Sequence, residues 1–246
     1  MKIKDAVVLV TGANRGLGLS LAVASLEMGA RRVYAGARDK AKLAALVARD
    51  PERGIPLSVD ITDTKSLAAA ADAAADVTLL VNNAGLLASY GVLTSSDDAI
   101  AADFSTNLFG TLAATKAFLP ALERAASRGP AAIVNVLSVV SMANMPALGA
   151  YSASKAAAFS MTQALRSDLG KKGIAVHAAL PGAIDTDMVR SFDMPKTSPD
   201  AVARGILDGV VDGHEDIFPD PMAADLAATY KRDHKELERR LAAMSG

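Results

Sequence analysis

The stretch "AVVLVTGANRGLG" at residues 6–18 joins a short apolar run to a turn that contains three glycines. The run at 6–10 is apolar throughout, which is typical of a strand buried on both faces, and the segment after Gly18 is helix-forming. Glycine permits a tight turn in which backbone N–H groups approach a pyrophosphate, and the helix start adds the positive end of its dipole. The order of strand, glycine turn and helix predicts a dinucleotide-binding turn, although the spacing G-x-x-x-G-x-G differs from G-x-G-x-x-G. The residues expected to line it are Gly12, Asn14, Arg15, Gly16, Leu17 and Gly18.

The rest of the chain repeats this alternation of apolar runs and helix-forming segments. Further strands are predicted at 32–36, 56–59, 77–81, 131–137, 174–180 and 216–218. Helices are predicted at 17–28, 39–49, 63–75, 97–127 with a break, 150–171, 198–211 and 222–243. Such alternation favours right-handed βαβ crossovers and a doubly wound α/β sheet. No linker is visible, so residues 1–246 are expected to form a single dinucleotide-binding and catalytic domain.

Composition argues against several functional classes. The 246 residues carry a net charge of −1 and include no tryptophan, so neither a basic nucleic-acid face nor a base-stacking platform is expected. The absence of cysteine excludes disulfides and thiolate metal sites, and none of the three histidines resembles a metal ligand. No signal peptide or apolar stretch of about 18 residues is visible, so we expect a cytoplasmic protein with no membrane partner.

The end of the second predicted strand bears on the choice between NADP and NAD. Folds that select NAD usually place an acid there to bind the ribose 2′-hydroxyl. In "RVYAGARD" at 32–39 that point falls on Ala37 or Arg38, whereas Asp39 follows as a candidate helix N-cap. Guanidinium groups at Arg38 and Arg15 would clamp a 2′-phosphate, which predicts NADP in preference to NAD.

Two later strand ends would contact the remainder of the dinucleotide. Asp60 in "VDIT" is placed to accept the adenine amino group, with Ile61 against the ring. The "NNAG" segment at 82–85 is expected to brace neighbouring strands and to pass beneath the cofactor through Asn83, Ala84 and Gly85.

A candidate catalytic pair lies in "YSASK", where Tyr151 and Lys155 stand one helical turn apart on the same face. A nearby ammonium favours the phenolate and is expected to lower the tyrosine pKa toward neutrality, so that the phenol can act as acid or base. Ser138, at the end of the fifth predicted strand, would hydrogen-bond a carbonyl oxygen, with Ser141 as the competing hydroxyl. Asn107 is a polar residue in a mostly apolar helical pattern.

These motifs, in this order and over nearly the whole length, resemble the short-chain dehydrogenase/reductase family. The matching segments are "TGANRGLG", "VDIT", "NNAG", "NLFG", "YSASK" and "PGAIDT", together with the serine–tyrosine spacing. The resemblance implies a single Rossmann-type domain with helices on both faces of a parallel seven-stranded sheet in the order 3-2-1-4-5-6-7.

It also implies a catalytic tetrad of Asn107, Ser138, Tyr151 and Lys155. In that role Tyr151 donates a proton to the substrate oxygen, and Ser138 positions and polarises the carbonyl. Lys155 lowers the tyrosine pKa and binds the nicotinamide ribose, and Asn107 holds a water that links Lys155 to solvent. The nicotinamide would be anchored by Pro181, Gly182, Ile184 and Thr186.

Two departures from the family pattern stand out. Leu137 takes the place of the first serine of the usual pair, and the common "ITG" segment near the C-terminus is replaced by "EDIFPD" and a charged helix. Because that region builds subunit contacts in many relatives, the change bears on assembly. A homodimer or homotetramer is expected.

A flap over the substrate is expected at about 183–198. Its Met188, Phe192 and Met194, with Met142, Met145 and Leu148 from the loop after Ser138, predict a small apolar carbonyl or alcohol substrate. The leading hypothesis is an NADPH-dependent carbonyl reductase acting on ketones or aldehydes. The alternatives are an NAD-dependent secondary alcohol dehydrogenase and a non-catalytic dinucleotide-sensing regulator, which would not need all four catalytic side chains.

Overall fold

Seven short strands form one parallel sheet in the computed structural model, which describes residues 1–190 and 192–244. The strand order β3-β2-β1-β4-β5-β6-β7 confirms the predicted doubly wound topology. The strands are β1 (Val7–Thr11), β2 (Arg32–Ala37), β3 (Gly54–Ser58), β4 (Leu79–Asn82), β5 (Ala131–Val136), β6 (Ile174–Ala179) and β7 (Asp216–Ile217).

Helices connect the strands and cover both faces of the sheet. They are α1 (Gly16–Glu27), α2 (Ala44–Arg49), α3 (Thr64–Ala73), α4 (Asp97–Phe104), α5 (Thr111–Ala126), α6 (Gly149–Gly170), α7 (Pro199–Asp212), α8 (Pro221–Arg232) and α9 (His234–Ala243). Within the described residues, no helix combines the length and apolar character that a bilayer span requires.

The central strand β1 shows why the apolar runs are nearly continuous. Val8 and Val10 pack into the core shared with α1, α2 and α7. Val7 and Leu9 point to the opposite face and pack into the core shared with α3, α5 and α6. Both faces of the strand are therefore buried, as parallel sheets require.

The edge strand β3 begins two residues earlier than predicted and contains Pro56, which pairs with Ala35 of β2. Proline cannot donate a ladder hydrogen bond, so it is tolerated where one side of the strand has no neighbour. The position of β3 at the end of the sheet meets that condition.

Three helix predictions need correction. The predicted break within 97–127 is absent, because a π-helical turn at Ser105–Gly110 joins α4 to α5. The segment 39–49 begins as a 3-10 turn at Lys40–Leu43 before α2. The segment 222–243 forms two helices, since Asp233 has an extended backbone and its carboxylate caps α9.

Candidate active site

The glycines of the turn after β1 stand where a larger residue would clash with its neighbours or have a strained backbone. Gly12 and Gly16 adopt φ angles of 69° and 52°, in the left-handed region that favours glycine. A Cβ atom on Gly18 would lie 2.2 Å from the carbonyl oxygen of Gly12 and 2.5 Å from Nδ2 of Asn83. The first turn of α1 carries no acidic side chain, so its positive dipole end is available to an anion.

The end of β4 is braced against the end of β1, as predicted for "NNAG". The Thr11 hydroxyl accepts hydrogen bonds from the backbone N–H groups of Asn83 and Ala84, both at 3.0 Å. The Asn83 amide donates back to the Thr11 carbonyl at 2.9 Å. Sequence reasoning missed Thr11, whose position directly before the first glycine was the available signal.

Three of the four predicted tetrad residues line one cavity. Lys155 is buried on α6, and its Nζ donates to the Val136 carbonyl at the end of β5 at 3.0 Å. The same Nζ lies 5.8 Å from the centre of the Tyr151 ring. Ser138, two residues after β5, is extended and caps the short 3-10 turn at Val139–Ser141. The competing Ser141 is buried and does not appear among the cavity-lining residues.

The pKa values of this pair differ from the expectation. Burial raises the pKa of the Tyr151 phenol above its ordinary value of 10.0, and the negative charge of Asp103 raises it further. Burial lowers the pKa of Lys155 to about 8, while Asp103 opposes that change. The direction of the Tyr151 pKa shift is therefore opposite to the expected lowering, and desolvation of the buried phenol is its largest cause. At neutral pH the phenol carries its proton.

Asn107 lies behind the cavity wall, inside the π-helical turn. Its amide donates to the Leu86 carbonyl and to the Ser154 hydroxyl, both at 2.9 Å, and its oxygen accepts from the Leu86 N–H at 2.9 Å. A Cβ on Gly85 would lie 3.2 Å from the Asn107 oxygen and 3.5 Å from the Lys155 Nζ, so Gly85 stands close to both groups. The water-holding role of Asn107 stays a prediction.

The opposite end of the cavity is lined by cations. Arg15 and Arg38 are both exposed there, and Lys42, which sequence reasoning missed, joins them from the 3-10 turn. Asp39 does not oppose them directly, because its carboxylate accepts the Ala41 N–H at 3.0 Å as the predicted N-cap.

Two acids contact this cationic end. The Arg15 guanidinium lies 3.3 Å from the Asp187 carboxylate of the flap, an ion pair that the sequence did not predict. The hydrogen bonds from Thr62 lower the pKa of Asp60, and the positive charge of Arg38 adds to this effect. These hydrogen bonds reach the Asp60 carboxylate from the Thr62 N–H at 2.9 Å and from the Thr62 hydroxyl at 2.7 Å.

The remaining predicted cofactor residues border the same space. They are Gly12, Asn14, Gly16, Leu17, Gly18, Ile61, Asn83, Ala84, Gly85, Pro181, Gly182, Ile184 and Thr186. The backbone N–H of Gly182 donates to Asp220 at 2.9 Å, and the same carboxylate caps α8. The turn at Pro181–Gly182 is thereby tied to the C-terminal helices.

The segment at 183–198, predicted to form a flap, is closed at its base by a parallel bridge between Ile184 and Thr197. The Asp185 N–H donates to the Thr197 carbonyl at 2.9 Å, and the Thr197 N–H donates to the Ala183 carbonyl at 2.9 Å. Ser191, within the flap, lies outside the described residues. The base of the flap is thus fixed beside the cavity.

The cavity has a volume of about 910 Å³ and becomes apolar beyond Tyr151. Of the predicted substrate-pocket residues, Met145, Leu148, Met188 and Phe192 line it, as does Met194. Met142, also predicted, is not among the residues that line it; its partly buried side chain packs against two apolar clusters. Four wall residues that sequence reasoning missed come from the C-terminal helices and the residue after them: Met222, Leu226, Leu241 and Met244.

The two C-terminal helices are held together as a pair over this apolar end. The Arg240 guanidinium of α9 lies 2.5 Å from the Asp225 carboxylate and donates to the Thr229 hydroxyl of α8 at 2.5 Å. Leu226 and Leu237 are buried between the pair and the loop after β5. The i, i+4 spacing of Met222 and Leu226 was the sequence signal for this inward face.

Comparison with known proteins agrees with the geometry. The family model described as short chain dehydrogenase matches residues 6–196. The chain belongs to the short-chain dehydrogenase/reductase family. Short-chain dehydrogenases of Aspergillus terreus and Monascus ruber are 34% and 32% identical to it, over 198 and 199 residues. The matched parts cover 77% and 76% of this chain but only 43% and 65% of those relatives.

A solved structure covers almost all of this short-chain dehydrogenase/reductase. The short chain dehydrogenase of Burkholderia cenocepacia J2315, crystallised with NADP, is 40% identical and superposes with a TM-score of 0.91. The alignment covers 98% of this chain and 99% of that one. The likeness therefore includes the C-terminal helices that lie beyond the residues matched by the family model.

Proposed function

We propose that this protein is an NADPH-dependent oxidoreductase that reduces apolar ketones or aldehydes to alcohols, with Tyr151 as the general acid. One observation carries the proposal. A single cavity is lined by the cations Arg15, Arg38 and Lys42, by the glycine turn, by the Tyr151–Lys155–Ser138 group and by a methionine-rich wall. Its volume of about 910 Å³ falls in the range of roughly 300–1,000 Å³ typical of cofactor and ligand sites.

The residues present fit a dinucleotide. The turn at Gly12–Gly18 and the start of α1 offer backbone N–H groups for the pyrophosphate. Arg15, Arg38 and Lys42 provide positive charge where a 2′-phosphate would lie, and the neighbouring Asp39 is engaged as a cap. The Burkholderia relative, similar along its whole length, supports NADP because its structure contains that cofactor. When bound, the reduced nicotinamide supplies a hydride.

The catalytic residues suit the reductive direction. The Tyr151 phenol, whose pKa is raised by burial, holds its proton at neutral pH and can donate it to a carbonyl oxygen. Tyr151 would give its phenol proton to the carbonyl oxygen as a hydride reaches the carbonyl carbon, and the alcohol would then leave. The Ser138 hydroxyl would hold the carbonyl oxygen beside the phenol. Lys155, with a pKa of about 8, is mainly the ammonium form at pH 7 and stabilises the phenolate left behind.

The wall beyond Tyr151 points to an apolar substrate. Met188, Phe192, Met194, Met222 and Leu226 surround that end, and methionine adapts to irregular apolar shapes. The flap carries two cations, Arg190 and Lys196, and neither is among the residues that line the cavity; Arg190 forms an ion pair with Asp187. A ketone or aldehyde with an alkyl or aryl group matches this surface better than a charged acid.

The test is a panel of alkyl and aryl ketones and aldehydes, assayed with purified protein and either NADPH or NADH. We expect NADPH oxidation to be faster than NADH oxidation and to depend on the carbonyl compound, with apolar ketones preferred over keto acids. Failure of every carbonyl compound with both cofactors, in protein shown to bind NADPH, would refute a reductase of this class.

A further inference from the structure

Asp103, on the last turn of α4, is a carboxylic acid that no motif singled out. It is fully buried, and none of the ion pairs in residues 1–190 and 192–244 includes it. A charged carboxylate in such a place is costly unless hydrogen bonds and a nearby cation compensate for its lost hydration. Its retention in the interior therefore calls for a role.

Hydrogen bonds tie Asp103 to the loop that follows "NNAG". Its two oxygens accept the backbone N–H groups of Ala88 at 2.8 Å and Ser89 at 3.1 Å, together with the Ser89 hydroxyl. One helical turn later, Asn107 holds Leu86 of the same loop through both its N–H and its carbonyl. The two side chains thus fix residues 86–89 against the helix.

The same loop connects Asp103 to the catalytic group. Gly85 precedes it, and a Cβ placed on Gly85 would meet both the Asn107 oxygen and the Lys155 Nζ, so the backbone there runs close to both groups. Asn107 also donates to Ser154, whose hydroxyl donates to the Tyr151 carbonyl at 2.7 Å. Asp103, Asn107, the loop and α6 therefore form one packed unit behind the Tyr151–Lys155 pair.

The charged groups around Asp103 are few. Helix α4 packs against α6, and the negative charge of Asp103 raises the pKa of Tyr151 and of Lys155 on that helix. From the loop Asp103 meets only N–H groups and the Ser89 hydroxyl. On its own helix the other acids, Asp97 and Asp98, are exposed at the opposite end. Lys155 is thus a buried cation whose protonated form the Asp103 carboxylate favours.

We propose that Asp103 is a positioning residue that fixes the loop at 86–89 and serves as the buried counter-charge of Lys155, holding the ammonium and the phenol in the protonated forms that reduction needs. This inference rests on the proposed function. Without the negative charge, Lys155 and Tyr151 would lose their protons at lower pH. Reduction would then fail earlier as pH rises, whereas alcohol oxidation, which needs the phenolate, would begin at lower pH.

The first test does not depend on activity. Lysine labelled with ¹³C at Cε is incorporated into the full chain, and the Lys155 resonance is assigned by its loss in Lys155→Arg. We expect Asp103→Asn to lower the Lys155 titration midpoint by about one pH unit, the low end of the effect of one nearby opposite charge. Asp98→Asn, the same change at an exposed site on α4, and Ser89→Ala, which removes one hydrogen bond but keeps the charge, should leave it unchanged.

The second test is the pH profile of kcat/KM for NADPH-dependent ketone reduction. In Asp103→Asn the alkaline limb should move to lower pH by about the same one unit, and the acid limb of alcohol oxidation should move in the same direction. A loss of activity that is equal at every pH would show a merely structural role and overturn the proposal. If Asp103→Asn does not fold, the smaller neutral Asp103→Ser replaces it in both tests.

The two proposals fail in different ways. If the wild-type protein reduces no carbonyl compound, the proposed function fails, while the Lys155 titration still decides whether Asp103 is its counter-charge. If reduction is observed but neither the Lys155 midpoint nor the alkaline limb moves in the neutral variant, the role of Asp103 is refuted and the proposed function stands.

Discussion

Replacement of Arg38 by aspartate should reverse the cofactor preference. Arg38 follows β2 directly, is exposed, and borders the cavity beside Arg15 and Lys42. Its charge already acts across the site, because it contributes to the low pKa of Asp60. Aspartate would remove the guanidinium and place a carboxylate where a ribose hydroxyl, but not a phosphate, can donate a hydrogen bond.

The size of the effect follows from the exposure of the side chain. A hydrogen bond to a charged group contributes about 1.5–3 kcal/mol, and solvent screening at this exposed position favours the lower end. Repulsion between the new carboxylate and a phosphate adds ~1 kcal/mol per unit charge at contact distance in water. The sum of about 2.5 kcal/mol corresponds to a roughly 60-fold fall in kcat/KM for NADPH, since 1.4 kcal/mol is tenfold.

The assay compares kcat/KM for NADPH and NADH at saturating ketone, in low and high salt. Lys40→Asp is the matched control: it makes the same charge change two residues away, on an exposed side chain that is not among those lining the cavity. In Arg38→Asp, kcat/KM for NADH should stay the same or rise. High salt should reduce the difference in kcat/KM for NADPH between the variant and the wild type. An NADPH-to-NADH ratio that stays within about threefold of wild type, or that falls equally in Lys40→Asp, would refute the phosphate clamp.

Two further predictions concern the glycine turn and the apolar wall. Gly18→Ala should lower the free energy of unfolding by about 1–3 kcal/mol or more and abolish cofactor binding, because the added Cβ would meet the Gly12 carbonyl at 2.2 Å. Gly170→Ala is the control, because a Cβ there meets nothing within 4 Å, and it should change the free energy of unfolding by less than ~0.5 kcal/mol. Denaturant titration measures both variants, and an equal loss of stability in Gly18→Ala and Gly170→Ala would contradict the account. Leu226→Ala should cost about 2–5 kcal/mol of stability and lower the KM for bulkier ketones. Leu207→Ala, buried in the core on α7 away from the cavity, should cost a similar amount without changing size preference, and a shift common to both would refute the wall assignment.

The sheet could be predicted from the sequence because its strands are buried on both faces. Each of the seven apolar runs became a strand, with limits that moved by up to two residues. The limits of β3 and β4 moved most, and at β3 an edge position accommodates Pro56. The glycine turn could also be predicted, because steric limits at Gly12 and Gly18 leave few other residues possible.

The parts that escaped prediction depend on distant contacts. The helix continues through Asn107, where the sequence indicated a break. The hydrogen bonds from the Asn107 amide to Leu86 and Ser154 stabilise the π-helical turn at this point. The hydrogen bonds that Asp103 accepts from residues 88 and 89 follow from tertiary packing, so this acid near the end of α4 gave no local signal. Desolvation of Tyr151 likewise needs the completed site, which is why the direction of its pKa shift was wrong.

The C-terminal segment combines one feature that the sequence indicates with one that it does not. Asp233 is a recognisable N-cap that divides 222–243 into two helices, and the spacing of Met222 and Leu226 indicates an apolar face, but neither pattern indicates that this face covers the substrate end. The hydrogen bond from the Gly182 N–H to the Asp220 carboxylate makes that placement possible, and these two residues are 38 positions apart in the sequence.

The most direct test of the proposed chemistry is a single-turnover measurement on Tyr151→Phe. A preformed NADPH complex is mixed with an apolar ketone while the loss of the reduced nicotinamide absorbance is followed, and NADPH affinity is measured separately by fluorescence titration. If Tyr151 donates the proton, NADPH should bind with nearly wild-type affinity, and the rate of oxidation should fall by at least about 100-fold. A variant that binds NADPH and reduces the ketone within about tenfold of the wild-type rate would contradict the assignment of Tyr151 as the general acid.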